Sequence, residues 1–277
     1  MKYMYITNDT QIAAIAEKAG VDRIWIDLEQ LGKEERQKEY DSVKSKHTIG
    51  DVGKVRKVLT TSELLVRVNP MNVNSAEEIE QVISNGADIV MLPFYKTVKE
   101  VVQFLDCVRG RAKTVLLLET KEANDCLEET LKLKDIDEIH IGLNDLHLSY
   151  HKKFMFELLI DGIVDSICQK LRNWDKPYGF GGIARLGTGT LPAEKILGEH
   201  VRLGSTRAIL SRSFCNTNMI KEQAIIDEIF SDGMREIRQY EKVLMTKDKD
   251  FFQANHSEVV ECIHEILKQR NKIENEK

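Results

Sequence analysis

The chain has 277 residues, 42% of them hydrophobic and 31% charged, with a formal net charge of −5. That length suits one large α/β barrel of about 250 residues with some extra helix, and the mild acidity excludes the basic field that nucleic-acid binding needs. Five scattered cysteines (Cys107, Cys126, Cys168, Cys215 and Cys262) without a C-x-x-C pair predict reduced thiols in a cytoplasmic protein. The first residues show no signal-peptide core, and no apolar run approaches the roughly 20 residues of a membrane span.

Short apolar runs alternate with amphipathic stretches, which predicts βα units and a parallel sheet. The first strand is expected at Tyr3–Ile6 and the first helix at Thr10–Ala19, stopped by Gly20. A strand at Arg23–Leu28 leads into a polar loop from Glu29 to Thr48, a helix near Ile49–Leu59 and a strand at Leu64–Val68. A helix over Ser75–Asn85 opens on a capping serine and stops at Gly86. Strand Ile89–Leu92, helix Val98–Val108, strand Thr114–Leu118, helix Ala123–Leu133, strand Glu138–Ile141 and helix Phe154–Asn173 follow. Strand Tyr178–Ile183, helix Pro192–Leu203 and strand Arg207–Leu210 complete eight strands.

The pattern predicts a (β/α)₈ TIM barrel with additional C-terminal helices. The barrel domain is expected over residues 1–245 and a helical extension over 246–277. Of two long final helices, Asn218–Met245 closes the barrel and His256–Lys272 is surplus to it. The latter carries Val259, Val260, Ile263, Ile266 and Leu267 at helical spacing, so it must bury a face. It docks either on its own barrel or on a neighbouring subunit; the second option predicts a homo-oligomer.

Four of the apolar runs end in charge: Asp27 and Glu29, Arg67, Glu119, and Asp145. A buried parallel strand reads as a continuous apolar run, so a charge where it stops lies at its carboxyl end, where (β/α)₈ barrels build active sites. Glu119 and Asp145 follow adjacent strands and can share a hard cation with water and substrate; the alternative is helix capping for Asp145 and a solvated loop charge for Glu119. Arg67 can bind a carboxylate with a two-pronged fork, or pair structurally with Asp27 or Glu29, which share one face of their strand. His147 and His151 follow Asp145 and are expected on a helix surface. Lys96 is the one strand-end lysine placed for an imine, and the carboxylate pair favours metal chemistry over it. The run Gly179–Pro192 is rich in glycine and opens a helix. Arg185, Gly187 and Gly189, with Arg212 after the last strand, could hold an anionic or sugar-like substrate, or the glycines could serve turning and packing alone.

The segments Ile-Asp-Leu-Glu, Val-Arg-Val-Asn-Pro, Gly-Ala-Asp-Ile-Val-Met-Leu-Pro, Leu-Glu-Thr-Lys-Glu-Ala and Gly-Leu-Asn-Asp-Leu, in that order, resemble the HpcH/HpaI aldolase and citrate lyase β-subunit family over roughly residues 3–215. The resemblance implies a metal-dependent barrel that makes or breaks carbon–carbon bonds beside a pyruvate-like enolate. It implies Glu119 and Asp145 as ligands of Mg²⁺ or Mn²⁺ and Arg67 on keto-acid oxygens. The substrate would be a small keto acid or an acyl thioester. One departure stands out. The aldolases carry a histidine directly after the glutamate equivalent to Glu29, and this chain has Gln30. His47-Thr-Ile-Gly-Asp51-Val resembles the displaced motif, with Gln30–Lys46 as an insertion. His47 is then either a proton-transfer group or an exposed loop residue. An acyl-CoA or acyl-carrier lyase resembling the citrate lyase β-subunit, and a ligand-binding barrel without catalysis, are the other readings.

Overall fold

All eight strands forecast from apolar runs are present within a residue of their expected limits, because a strand buried on both faces leaves a continuous hydrophobic signature. The computed structural model describes residues 1–32 and 46–275, with side chains through 272. The strands β1 (Lys2–Ile6), β2 (Arg23–Asp27), β3 (Glu63–Arg67), β4 (Ile89–Leu92), β5 (Lys113–Leu118), β6 (Glu138–Ile141), β7 (Tyr178–Ile183) and β8 (Arg207–Leu210) close into a barrel in chain order. The helices are α1 (Thr10–Lys18), α2 (Ile49–Arg56), α3 (Ser75–Ser84), α4 (Val98–Val108), α5 (Lys121–Asp125), α6 (Leu127–Thr130), α7 (Leu143–Ser149), α8 (Ile163–Arg172), α9 (Ala193–Leu203), α10 (Gln223–Leu244) and α11 (Lys249–Asn275). No described helix is long and apolar enough to cross a membrane. The chain divides into two compact units, residues 2–140 and residues 141–277 with Met1.

In the first unit, strand register sets the chemistry. Strands β2 and β3 run parallel with Arg23 beside Glu63, Trp25 beside Leu65 and Asp27 beside Arg67. Side chains alternate across a strand, so these six share one face while Ile24, Ile26, Leu64 and Val66 share the other. The first face lines the barrel interior, because the Arg23 side chain reaches Glu138 on β6, a strand that is not its neighbour. Arg23 is 1% exposed. Its Nη1 and Nη2 donate to the two Glu138 carboxylate oxygens at 2.7 and 2.6 Å, and its Nε donates to Glu63 at 2.8 Å. Lys2 and Lys113 also donate to Glu63, at 3.0 and 2.5 Å. The amino ends of the strands are thus closed by an ionic plug rather than by aliphatic side chains.

Two helical forecasts change in detail, and one helix was not forecast. The helix expected at Ala123–Leu133 is two short ones, α5 and α6. The helix expected at Phe154–Asn173 is a 3₁₀ turn at Met155–Leu159 followed by α8. Gly162, at φ +84°, separates them in a left-handed conformation that favours glycine. Glu157 takes the N–H groups of Lys153 and Phe154, both at 2.7 Å, which closes the start of the 3₁₀ turn. Helix α7 was hidden in the motif after β6.

In the second unit, α11 docks on α9 of its own chain. Val259 and Ile263 are fully buried. Asn255 fits against Gly198, where a Cβ would come within 2.5 Å of its Nδ2. Its Nδ2 donates to Lys195 O at 3.1 Å and to Glu199 at 3.3 Å, and His256 Nδ1 lies 3.0 Å from Glu199. Glu199 is fully buried and also accepts from Arg202 Nε at 2.9 Å. Lys195 and Glu258 form a further ion pair across the two helices. Val259 and Ile263 of the apolar stripe read from the sequence are thus spent within the chain, while Val260, Ile266 and Leu267 are half-buried. Ending the chain after Thr246 should lower the melting temperature and create dye-binding apolar surface, since each buried aliphatic side chain stabilises by about 1.5–3 kcal/mol. Melting at the full-length temperature would show that α11 contributes nothing to the fold.

Candidate active site

The carboxyl ends of β2, β3 and β5 carry the charges forecast for them. Asp27 and Arg67 are register partners, and the pairing becomes a two-pronged ion pair: Arg67 Nε donates to Asp27 Oδ1 and Nη2 to Oδ2, both at 2.8 Å. Arg67 Nη1 lies 3.1 Å from Glu29 Oε2. The guanidinium sits over the Trp25 ring, 5.4 Å from its centroid. Trp25 precedes Asp27 by two residues, so alternation alone places it beneath the pair. The side chain of Arg67 keeps 11% exposure. Burial would lower its pKa, but the negative charges of Asp27, Glu29 and Glu119 outweigh that and hold it well above its ordinary value. It is cationic at every relevant pH. The structural pairing read as one alternative for Arg67 is present. It does not consume the group, because a guanidinium has five N–H donors.

Glu119 is 2% exposed, and its Oε1 accepts the Phe94 N–H at 3.0 Å. Phe94 holds a left-handed φ of +50° just after Pro93, a costly conformation for a bulky residue. No sequence pattern announces this donor. Asn69 was also missed: its Oδ1 accepts the N–H groups of Gln30 and Leu31 at 2.9 and 3.0 Å, and its Nδ2 donates to Glu78 at 2.7 Å. The loop leaving β2 is thereby tied to the loop leaving β3.

His47 is brought to this cluster. Its Nδ1 accepts the Asp27 backbone N–H at 3.0 Å. The stretch expected as an insertion lies mostly outside the described residues, yet its exit is fixed. Thr48 is the N-cap of α2. Asp51 accepts the Thr48 N–H and hydroxyl at 2.9 and 3.0 Å, the Lys54 ammonium at 3.0 Å and the Asn8 amide at 3.1 Å. Burial would raise the Asp51 carboxyl, but these hydrogen bonds outweigh it and hold it below the ordinary range. His47 therefore stands at a fixed distance before a well-capped helix. Lys96 is half exposed, pairs with Glu122 at 3.6 Å and holds its ammonium 5.4 Å from the Phe94 ring centroid.

In the second unit, Asp145 is buried in the first turn of α7. The N-cap of that helix is Gly142, so Asp145 is not the cap. His147 is buried with Nδ1 3.1 Å from Leu143 O, and burial lowers its pKa. It is not the helix-surface residue expected. The glycine-rich loop is less open than its sequence suggested. The Gly187 N–H donates to Glu194 at 2.6 Å, so an incoming anion finds that donor taken by a carboxylate. Arg185 runs its stem along α10, where a Cβ on Gly233 would lie 3.5 Å from it. Gly189, at φ +101°, has no room for a Cβ beside Leu191 O at 2.8 Å, which supports the turning role. Arg212 is exposed after β8.

A family model described as HpcH/HpaI aldolase/citrate lyase matches residues 3–155. No curated protein matches the sequence. Among solved structures, an HpcH/HpaI aldolase from Desulfitobacterium hafniense DCB-2 is similar, with TM-score 0.57 and 13% identity over 86% of this chain and 92% of the other. An HpcH/HpaI aldolase/citrate lyase family protein from Burkholderia cenocepacia J2315 has TM-score 0.61 and 12% identity over 82% and 94%. The citrate synthase SbnG has TM-score 0.60 and 14% identity over 79% and 89%. At these identities the likeness is one of fold.

Proposed function

The chain belongs to the HpcH/HpaI aldolase/citrate lyase family, and from that membership we propose that it is a metal-dependent carbon–carbon lyase acting on a small keto acid through a pyruvate-like enolate. The observation that carries this reading is Arg67, a permanent cation clamped by Asp27 and Glu29 at the carboxyl ends of the strands, beside buried Glu119 and with His47 on the same strand end.

The donor set fits a hard cation. Glu119 offers only oxygen, is buried, and is aimed by the Phe94 N–H. Among the described residues no three His, Cys, Asp or Glu groups form a ready-made cage, so a bound ion would take one or two carboxylates with water and substrate filling the rest, as Mg²⁺ prefers. We assign Glu119 to Mg²⁺ or Mn²⁺ on these grounds, and Asp145 on the family resemblance alone. The metal, when bound, supplies a Lewis acid that draws charge from the keto oxygen.

Arg67 does the rest of the electrostatic work. Its remaining N–H donors meet the substrate carboxylate or the oxygen that gains charge as the carbon–carbon bond breaks. Asp27 and Glu29 hold the guanidinium plane in place, so little reorganisation is needed as that charge develops. His47 at the Asp27 peptide favours the keto-acid reading over the thioester one.

Metal-dependent decarboxylation of oxaloacetate is the test, since it needs the enolate half-reaction alone. We expect activity that is lost on chelation and restored by Mg²⁺ or Mn²⁺. Glu119→Gln and Asp145→Asn should each weaken Mn²⁺ binding in calorimetry by more than about tenfold, the low end even for groups that only support a ligand. Unchanged affinity in both variants removes the metal assignment, and absence of decarboxylation under all metals removes the lyase reading.

A further inference from the structure

Arg67 is gripped at its edge by carboxylates and supported on its face by a ring. The fork onto Asp27 fixes the guanidinium along the line joining the two carboxylate oxygens, and Glu29 restrains Nη1 at 3.1 Å. Two bonds to one carboxylate leave a plane able to hinge about that line. The Trp25 ring limits the hinge, since its centroid lies 5.4 Å from the guanidinium carbon, inside the roughly 6 Å reach of a cation–π contact. Trp25 is 1% exposed and stands two residues before Asp27 on the same face of β2, with Ile6 and Leu65 as register partners. Water is kept from the contact, and a desolvated cation–π pair is the stronger kind.

The choice of ring points the same way. The Trp25 Nε1–H is buried and finds no acceptor among the described residues. A buried donor without a partner carries the full cost of its desolvation. Packing alone does not call for that cost, because the register partner on β3 is Leu65 and an apolar side chain fills such space with no orphaned donor. What indole offers beyond a phenyl or aliphatic group is the best ring face for a cation.

We propose that Trp25 is a positioning residue for Arg67: its ring face holds the guanidinium plane at the tilt from which the remaining N–H donors meet the keto acid. This rests on the lyase reading and deepens it. Trp25 acts through Arg67 rather than on the substrate. Without the ring, the guanidinium tilts between Asp27 and Glu29, and each substrate must restore its plane before the donors are aimed. The loss therefore falls on kcat/KM and leaves the metal-binding carboxylates untouched.

The test keeps the shape of the ring and weakens its face. Fluorine on the indole carbons draws electron density from the face with little change in size. The chain has two tryptophans. Trp174 follows α8 and has its own cation, Lys176, at 5.2 Å, so Trp174→Phe leaves Trp25 as the one labelled site. In that protein, mono-, di- and trifluorinated tryptophan should lower kcat/KM for metal-dependent oxaloacetate decarboxylation in steps, reaching about tenfold. Trp25→Leu should lower it by about 30-fold, the size of a desolvated cation–π contact, and Trp25→Phe should fall between the two rings' extremes. Mn²⁺ affinity should stay at the wild-type value throughout. A flat fluorine series, or a leucine variant as active as wild type, overturns the proposal. The fluorine series needs no change of shape, so it decides the matter even if the leucine variant does not fold. A second readout needs no turnover. In a ¹⁵N-labelled sample the Arg67 Nε–H signal, assigned by its loss in Arg67→Lys, should be shielded by the ring and move downfield in Trp25→Leu or Trp25→Met. A signal that stays in place overturns the contact. If wild type shows no decarboxylation, the lyase reading fails while this signal still decides whether Trp25 holds Arg67.

Discussion

Arg67→Lys should lower kcat/KM for oxaloacetate by about 10²–10³, although the charge is conserved, because removing one preorganised donor to a developing oxyanion costs that much. The reason lies in shape. Arg67 uses Nε and Nη2 on Asp27 and Nη1 on Glu29, and a planar fork can do this while still presenting N–H groups to substrate. An ammonium is a point charge on a flexible stem. It would be drawn onto Asp27 and Glu29 and withdrawn from the mouth of the site. Mn²⁺ affinity should change little, since Arg67 is not a metal donor. Thermal melting of the variant separates a catalytic loss from a folding one. Near wild-type turnover in a folded Arg67→Lys protein would confine Arg67 to a structural pairing.

The second large effect is on stability and lies at the opposite end of the strands. Arg23→Met should destabilise the chain by about 3–5 kcal/mol, the cost of breaking a buried ion pair by removing one partner. That is a large part of the roughly 5–15 kcal/mol that holds a typical protein folded. The loss falls on Glu138, 6% exposed, which loses both bonds of its two-pronged partner. Glu63 keeps Lys2 and Lys113. Pairing the change with Glu138→Leu should recover much of the stability, because a well-packed apolar replacement of a buried ion pair is often neutral. Denaturant midpoints of the single and double variants check this, and a single variant as stable as wild type rejects it. The plug also sets an acid limit. Burial would raise Glu63, but hydrogen bonds from Lys113, Arg23 and Lys2 outweigh it and hold its carboxyl at about 2 against an ordinary 4.5. A depressed carboxylate contributes stability that is complete above its ordinary pKa. It is lost as pH falls from 4.5 toward 2.

The (β/α)₈ order and the placement of Asp27, Arg67, Glu119 and Asp145 at strand ends were legible in the sequence. A buried strand writes its length as an apolar run, and a charge can stand only where the run stops. Alternation also foretold that Asp27 and Glu29 share a face. The tertiary structure alone decided which charges meet. The pairing of Asp27 with Arg67 depends on the register of β2 against β3, and register is a relation between segments 40 residues apart that no local pattern states. The passage of Arg23 to Glu138 needs the closed curvature of the barrel, since the two strands are not neighbours. The side on which α11 docks was open in the sequence, because an apolar stripe specifies burial and not a partner. Gly198 and the buried Glu199 supply the partner. His47 follows the same logic: the sequence showed a displaced histidine, and only the folded chain could bring its Nδ1 to the Asp27 peptide, because that contact spans residues whose own sequence carries no regular period.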